Sequence, residues 1–82
     1  MTWYLPDMSR VLMLDAGEPL DIFDVIEIAN GVVHVRTAYL FELGEEVKLR
    51  LENDGTITEA NARVRAHVGT GRDRVTEFEL TD

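Results

Sequence analysis

One combination of side chains is the best candidate for acid–base chemistry: Glu27 and His34, with His67 as a possible third member. A carboxylate beside a histidine is a general acid/base pair in principle. Catalysis would need all three groups to converge in one concave pocket, and the sequence places no nucleophile or second carboxylate to work with them. Two distant histidines in a chain without cysteine also do not make a metal-ligand set. We therefore predict no enzymatic activity, no metal site and no cofactor.

The turn that would bring Glu27 and His34 together is Asn30-Gly31, in the stretch VIEIANGVVHVRT at residues 25–37. An Asn-Gly pair between two β-branched runs is typical of a two-residue hairpin turn. Such a turn predicts two core pairs, Ile26 with Val35 and Ile28 with Val33, and two pairs on the opposite face, Glu27 with His34 and Val25 with Arg36. On that opposite face, Glu27, His34 and Arg36 would form an exposed ion-pair cluster worth under about 1 kcal/mol per pair.

The charge balance limits the classes of partner. The chain has 16 acidic residues against 8 basic ones and a net charge of −8, which repels phosphate backbones and anionic lipid. We therefore predict no nucleic-acid partner. All the basic residues except Lys48 are arginines, which suit local bidentate recognition of a carboxylate or phosphate better than a diffuse positive field. Arginines on strands are also typical of the solvated face of a sheet.

Length and hydrophobicity predict one domain that does not enter a membrane. A chain of 82 residues has room for a single small core. Its longest uninterrupted apolar runs have four residues, far short of the roughly 20 that a membrane span needs. The first ten residues, MTWYLPDMSR, lack the features of a signal peptide. With no cysteine, the composition fits a reducing compartment, and we expect the protein to be cytoplasmic.

Alternation of apolar and polar residues predicts a sheet. Residues 18–29 are expected to form one long strand, with Leu20, Ile22, Ile26 and Ile28 on one face and Phe23 and Val25 on the other. Further strands are predicted over residues 45–52, 56–68 and 74–80, with a tight turn at Asp54-Gly55, a bulge near residues 58–60 and a hairpin loop at residues 69–73. Residues 7–14 fit a helix or a strand about equally well.

These elements predict an all-β fold, a small antiparallel barrel of five to six strands with at most one short helix. The barrel would span residues 18–82, after an apolar N-terminal arm over residues 1–17.

The order of these features resembles the PilZ domain, a bacterial module whose usual ligand is cyclic di-GMP. The resemblance covers about residues 18–80. IEIANGVVHVRT stands in the place of the family's D/N-x-S-x-x-G motif, and FELGEEVKLRLENDGTITEANARVRAHV stands in the place of its next three elements. RVTEFEL matches the closing strand, where Phe78 occupies a position that is often aromatic in the family. The resemblance implies a PilZ-like barrel and a role in bacterial motility, pilus or signalling assemblies.

The ligand-binding residues of that family are not matched. Glu27, Ala29 and Val32 stand where the family has an aspartate or asparagine, a serine and a glycine that hold the ligand. The family's R-x-x-x-R arm is represented by Arg10 alone, and no two arginines here have that spacing. The resemblance therefore implies a degenerate member that does not bind cyclic di-GMP. The alternative is a receptor with a rearranged site that uses Arg10, Glu27 and Arg36.

Aromatic residues outside the strands indicate a protein contact. Trp3 and Tyr4 lie near the terminus, and Tyr39 lies in the apolar stretch TAYLFELG at residues 37–44. We expect these three side chains to contact a protein partner or a second copy of the chain, because large amphipathic aromatics dominate contact energy when exposed. Phe41 and Leu43 are instead expected to cap an open end of the barrel. The predicted function is a non-enzymatic interaction or regulatory module.

Overall fold

A computed structural model describes residues 9–53 and 55–81. Within them, seven β-strands form one antiparallel sheet and a single turn of 3-10 helix spans Gly71–Asp73. The strands are β1 (Ser9–Asp15), β2 (Glu18–Leu20), β3 (Asp24–Ala29), β4 (Val32–Arg36), β5 (Glu46–Asn53), β6 (Thr56–Val68) and β7 (Val75–Leu80). The predicted all-β, antiparallel class is confirmed, with seven strands rather than five to six.

The sheet is curled but not closed. Its strand order is β2-β1-β5-β6-β7-β4-β3, and the terminal strands β2 and β3 do not pair with each other in the described residues. The curl nevertheless brings β1 close to the residues that precede β3. Arg10 of β1 forms an ion pair of 3.2 Å with Asp21. The prediction of a closed barrel is therefore wrong in this respect, and β3 keeps one edge without a partner strand in the described part of the chain.

The N-terminal residues that the structure describes belong to the sheet. The apolar run at residues 11–14 is part of β1, which lies between β2 and β5. This result decides between the helix and the strand that the sequence allowed for residues 9–14. The boundary expected after residue 17 does not separate two units here, because β1 and β2 form a hairpin on either side of it.

The single strand predicted over residues 18–29 is in fact two. β2 pairs with β1 at one edge of the sheet, and β3 pairs with β4 at the other edge. Residues 21–23 cross between them and bury Phe23 in the core. The alternation of apolar and polar residues continues through both strands. The sequence pattern therefore cannot show where the chain stops pairing with β1 and starts pairing with β4.

The Asn30-Gly31 turn has the predicted geometry. Both residues have positive φ, 55° and 77°, as a two-residue type I′ turn requires. Glu27 lies opposite His34 and Ile28 opposite Val33, as expected. A bulge at Ile26 then shifts the register, so that Val25 pairs with Val35 and Asp24 with Arg36.

The pairs predicted for Ile26 with Val35 and Val25 with Arg36 are therefore wrong. Ile26 and Ile28 are 45% and 44% exposed instead of lying in the core. The extra residue at Ile26 reverses the face on which the side chains before it lie. In addition, β3 is the terminal strand of the sheet, so no further strand covers the side chains of Ile26 and Ile28.

A second bulge changes the position of His67. The β5–β6 hairpin has the predicted two-residue connection, with Asn53 opposite Thr56, and its register continues without a break through residues 57–60. The bulge predicted near residues 58–60 is absent, and the irregularity lies instead between Val64 and Ala66. After this bulge, His67 lies opposite Thr76.

Three phenylalanines form the centre of the core. The rings of Phe23 and Phe41 each lie 5.3 Å from that of Phe78 in edge-on contacts. Aliphatic residues from β1, β4, β5 and β6 surround them. The inward orientation expected for Phe78 and Phe41 is confirmed, whereas Leu43, which was expected to cap the core, is 67% exposed.

The β1–β2 turn contains a strained residue and yields a prediction. Ala16 has a φ of 53°, a left-handed conformation that disfavours any residue with a Cβ except asparagine and aspartate. We expect Ala16→Asn to raise the free energy of unfolding by about 1 kcal/mol, because it creates the preferred Asn-Gly turn. Urea denaturation followed by circular dichroism would measure the change. Ala38→Asn is the control, since Ala38 is exposed and outside the positive-φ region; equal effects would contradict the prediction.

Candidate functional site

The three predicted acid–base residues do not converge. His34 lies opposite Glu77 and His67 lies opposite Thr76. Thr76 and Glu77 are successive residues of β7, so their side chains point to opposite faces of the sheet. His34 and His67 therefore lie on different faces, and the catalytic arrangement considered from the sequence is not assembled.

His34 belongs to a polar row on the outer face of the sheet. Its Nδ1 lies 3.7 Å from Oε2 of Glu77, whose other carboxylate oxygen lies 3.3 Å from Nε of Arg65. Glu27 lies beside His34 in the register but on the exposed edge strand. This row of polar and charged side chains lies on the outer face of the sheet, where a partly exposed ion pair such as that of Arg65 with Glu77 is worth about 1 kcal/mol or less.

His67 has a structural role. Its Nε2 lies 2.8 Å from the carbonyl oxygen of Phe41, and its Nδ1 lies 3.1 Å from Oγ1 of Thr76. Because a carbonyl oxygen only accepts, Nε2 donates this bond, and in the tautomer with the proton on Nε2 alone Nδ1 accepts from the threonine hydroxyl. Thr76 is buried, so His67 satisfies a buried hydroxyl and holds the backbone at Phe41.

We call residues 37–45 the apolar loop, and it is fixed to the body of the protein. The ring of Phe41 is buried among the core aromatics. The backbone of Val64 also bonds it twice, accepting from the amide of Gly44 at 2.8 Å and donating to the carbonyl of Glu45 at 2.9 Å. Together with His67, these contacts attach both the middle and the end of the loop.

The fixed loop nevertheless exposes three large apolar side chains. Tyr39, Leu40 and Leu43 are 55%, 72% and 67% exposed. The ring of Tyr39 lies 6.4 Å from that of Phe41, which connects the exposed surface to the buried anchor. Clustered exposed apolar side chains on an ordered segment are typical of a contact surface. Tyr39, one of the three predicted contact residues, is thus exposed, while Trp3 and Tyr4 lie outside the described residues.

The three residues of the alternative ligand site line two clefts. Arg10 and Glu27 line a cleft of about 440 Å³ between β1 and β3, whereas Arg36 lines a second cleft of about 650 Å³. Arg10 is already paired with Asp21 at 3.2 Å and with Glu52 at 3.3 Å. A ligand phosphate at Arg10 would therefore have to displace two carboxylates.

Comparison of the chain with protein-family models, with curated proteins and with solved structures gave no match. The PilZ resemblance therefore rests on the sequence motifs alone. In the described part of the chain, no cluster of three or more histidine, cysteine, aspartate or glutamate residues could hold a metal ion. No helix within residues 9–53 and 55–81 has the length and hydrophobicity needed to cross a membrane.

Proposed function

We propose that this protein is a non-enzymatic interaction or regulatory module that resembles an atypical PilZ domain and acts in bacterial motility, pilus or signalling assemblies. The observation that supports a protein contact is the apolar loop, which is fixed by Phe41 and His67 yet exposes Tyr39, Leu40 and Leu43. The placement in motility or signalling comes from the sequence resemblance.

A fixed loop favours binding because less conformational entropy is lost when the complex forms. Large apolar and aromatic side chains also supply most of the binding energy in protein interfaces. The free edge of β3 offers a second means of contact, since an unpaired strand can add a strand from another chain. Ile26 and Ile28 on that strand are both exposed. The loop carries the proposal because its exposure is greater and its anchoring is independent of any partner.

The experiment is affinity capture from the native host with the protein as bait. We expect the double substitution Tyr39→Ser with Leu40→Ser to reduce recovery of a specific partner by about tenfold or more, because hot-spot side chains are removed. Ile57→Ser is the matched control, since Ile57 is 56% exposed on β6 and lies outside the apolar loop. Equal recovery with the loop variant and the control would remove the loop from the proposal. Self-association of the wild type in sedimentation, lost only in the loop variant, would identify a homodimer.

The competing proposal is a cyclic di-GMP receptor that uses Arg10, Glu27 and Arg36. We predict no saturable binding of cyclic di-GMP below about 1 mM, because losing two or three charged contacts weakens a micromolar site by that much. The carboxylates already paired with Arg10 support this prediction. Titration calorimetry at near-physiological salt is the measurement. One-site binding at low micromolar concentration that Arg10→Ala abolishes would establish the receptor instead.

A further inference from the structure

The arginines fall into two groups according to their partners. Four of the seven lie within 4 Å of a carboxylate: Arg10, Arg50, Arg63 and Arg65. The side chains of the other three, Arg36, Arg72 and Arg74, have neither an ion pair nor a hydrogen bond in the described part of the chain. In a chain with twice as many acidic as basic residues, three arginines without a carboxylate partner are unexpected.

All three unpaired arginines line one cleft, which we call the arginine cleft. It has a volume of about 650 Å³. Arg36 comes from the end of β4, Arg72 from the 3-10 turn and Arg74 from the residue before β7. Phe23 and Ala38 supply apolar walls, and the buried ring of Phe23 fixes one side of the cleft to the core. Two segments far apart in the sequence, the end of β4 and the 3-10 turn with the residue after it, thus bring positive charge to one concave surface.

The pairing of Arg74 is incomplete even at its buried nitrogen. Its Nε atom is buried and has no hydrogen-bond partner in the described part of the chain, a state that it shares with Nε of Arg50 outside the cleft. Because buried donors without a partner are unusual in folded proteins, the guanidinium of Arg74 is not neutralised by the residues that the structure describes.

Two carboxylates also line the cleft, and they do not cancel its charge. Asp21 is paired with Arg10. Asp24 lies opposite Arg36 in the β3–β4 register without forming an ion pair with it. Three arginines therefore face one unpaired aspartate. The local charge is positive on a protein whose overall charge is strongly negative.

We propose that the arginine cleft binds the terminal phosphate of a small phosphomonoester or pyrophosphate. Guanidinium groups form bidentate bonds to phosphate oxygens, and three of them offer more donors than the two oxygens of a carboxylate can accept. A phosphodiester has only one charge per phosphorus and two free oxygens, so it matches the cleft less well. This inference is independent of the proposed protein contact.

The test is a titration of the full chain with inorganic pyrophosphate and with phenyl phosphate, followed by amide chemical shifts at constant ionic strength. We expect saturable shifts around residues 36–38 and 71–74. Arg72→Gln should raise the Kd about tenfold through loss of one charged contact. Arg72 is exposed on the 3-10 turn, so this variant should fold; Arg36→Gln is the second variant. Lys48→Gln is the matched control, because it removes the same charge from an exposed residue outside the cleft.

Three results would overturn the proposal. One is the absence of saturable shifts up to about 20 mM of either compound, which would leave no useful affinity. Another is an equal rise in Kd for Arg72→Gln and Lys48→Gln, which would mean that anion binding depends only on the net charge of the protein. The last is co-sedimentation with phosphatidylglycerol vesicles without binding of the soluble phosphates, which would assign the cleft to a lipid surface.

Discussion

Replacing Phe78 with alanine is expected to remove about 3–5 kcal/mol from the free energy of unfolding. A domain of this length has a total of roughly 4–12 kcal/mol, so a large fraction of its stability would be lost. Phe78 is fully buried and its ring touches both Phe23 and Phe41. The cavity would therefore weaken the packing of Phe23, in the segment 21–23 between β2 and β3, and of Phe41, in the apolar loop. Urea denaturation followed by circular dichroism would measure the loss.

Two controls separate this effect from a general response to substitution. Phe78→Leu keeps most of the buried volume and should cost less than about 2 kcal/mol. Ile57→Ala removes an exposed apolar side chain and should change stability by less than about 0.5 kcal/mol. A Phe78→Ala protein as stable as Ile57→Ala would show that the three rings do not form the centre of the core.

The second large effect is expected from His67→Leu. The substitution leaves the buried Thr76 hydroxyl and the Phe41 carbonyl without their partner, and each unsatisfied group costs about 1–3 kcal/mol. We expect a total loss of about 2–4 kcal/mol. The apolar loop would also lose one of its attachments, so the amides of Gly44 and Glu45 should exchange with solvent faster. Hydrogen exchange and urea denaturation of the same samples give both quantities.

His34→Leu is the matched control for this prediction. It removes the same side chain from the outer face, where His34 lies 3.7 Å from the carboxylate of Glu77, and should cost under about 1 kcal/mol. His67→Gln should recover part of the stability, because its amide can donate to the carbonyl of Phe41. Equal losses for His67→Leu and His34→Leu, with unchanged exchange at Gly44, would show that His67 does not hold the loop.

Local features of the chain were predictable from sequence. The Asn30-Gly31 and Asp54-Gly55 turns indicated their hairpins, because the backbone twist of a two-residue turn depends on the residues within it. The strict alternation of residues 46–52 likewise indicated a strand with one buried face.

The two bulges were not predictable from the sequence, and they changed which residues lie opposite Arg36 and His67. A single extra residue at Ile26 moved Arg36 from Val25 to Asp24 in the register. Another, at Arg65, placed His67 opposite Thr76. Neither position has a proline or glycine to mark it. A bulge depends on how the side chains of two paired strands pack rather than on the residues of one strand.

By itself, the sequence determined the all-β class, the main hairpins and the acidic, arginine-biased charge. It also showed that the ligand-binding residues of the PilZ domain, which the chain resembles, are not matched at Glu27, Ala29 and Val32. Only the tertiary structure decided that the sheet stays open, that His67 anchors the apolar loop, and that Arg36, Arg72 and Arg74 share a cleft. Turn chemistry and alternation act between neighbouring residues. Whether an arginine forms an ion pair with a carboxylate depends instead on which segments of the chain pack together, and these segments can be far apart in the sequence.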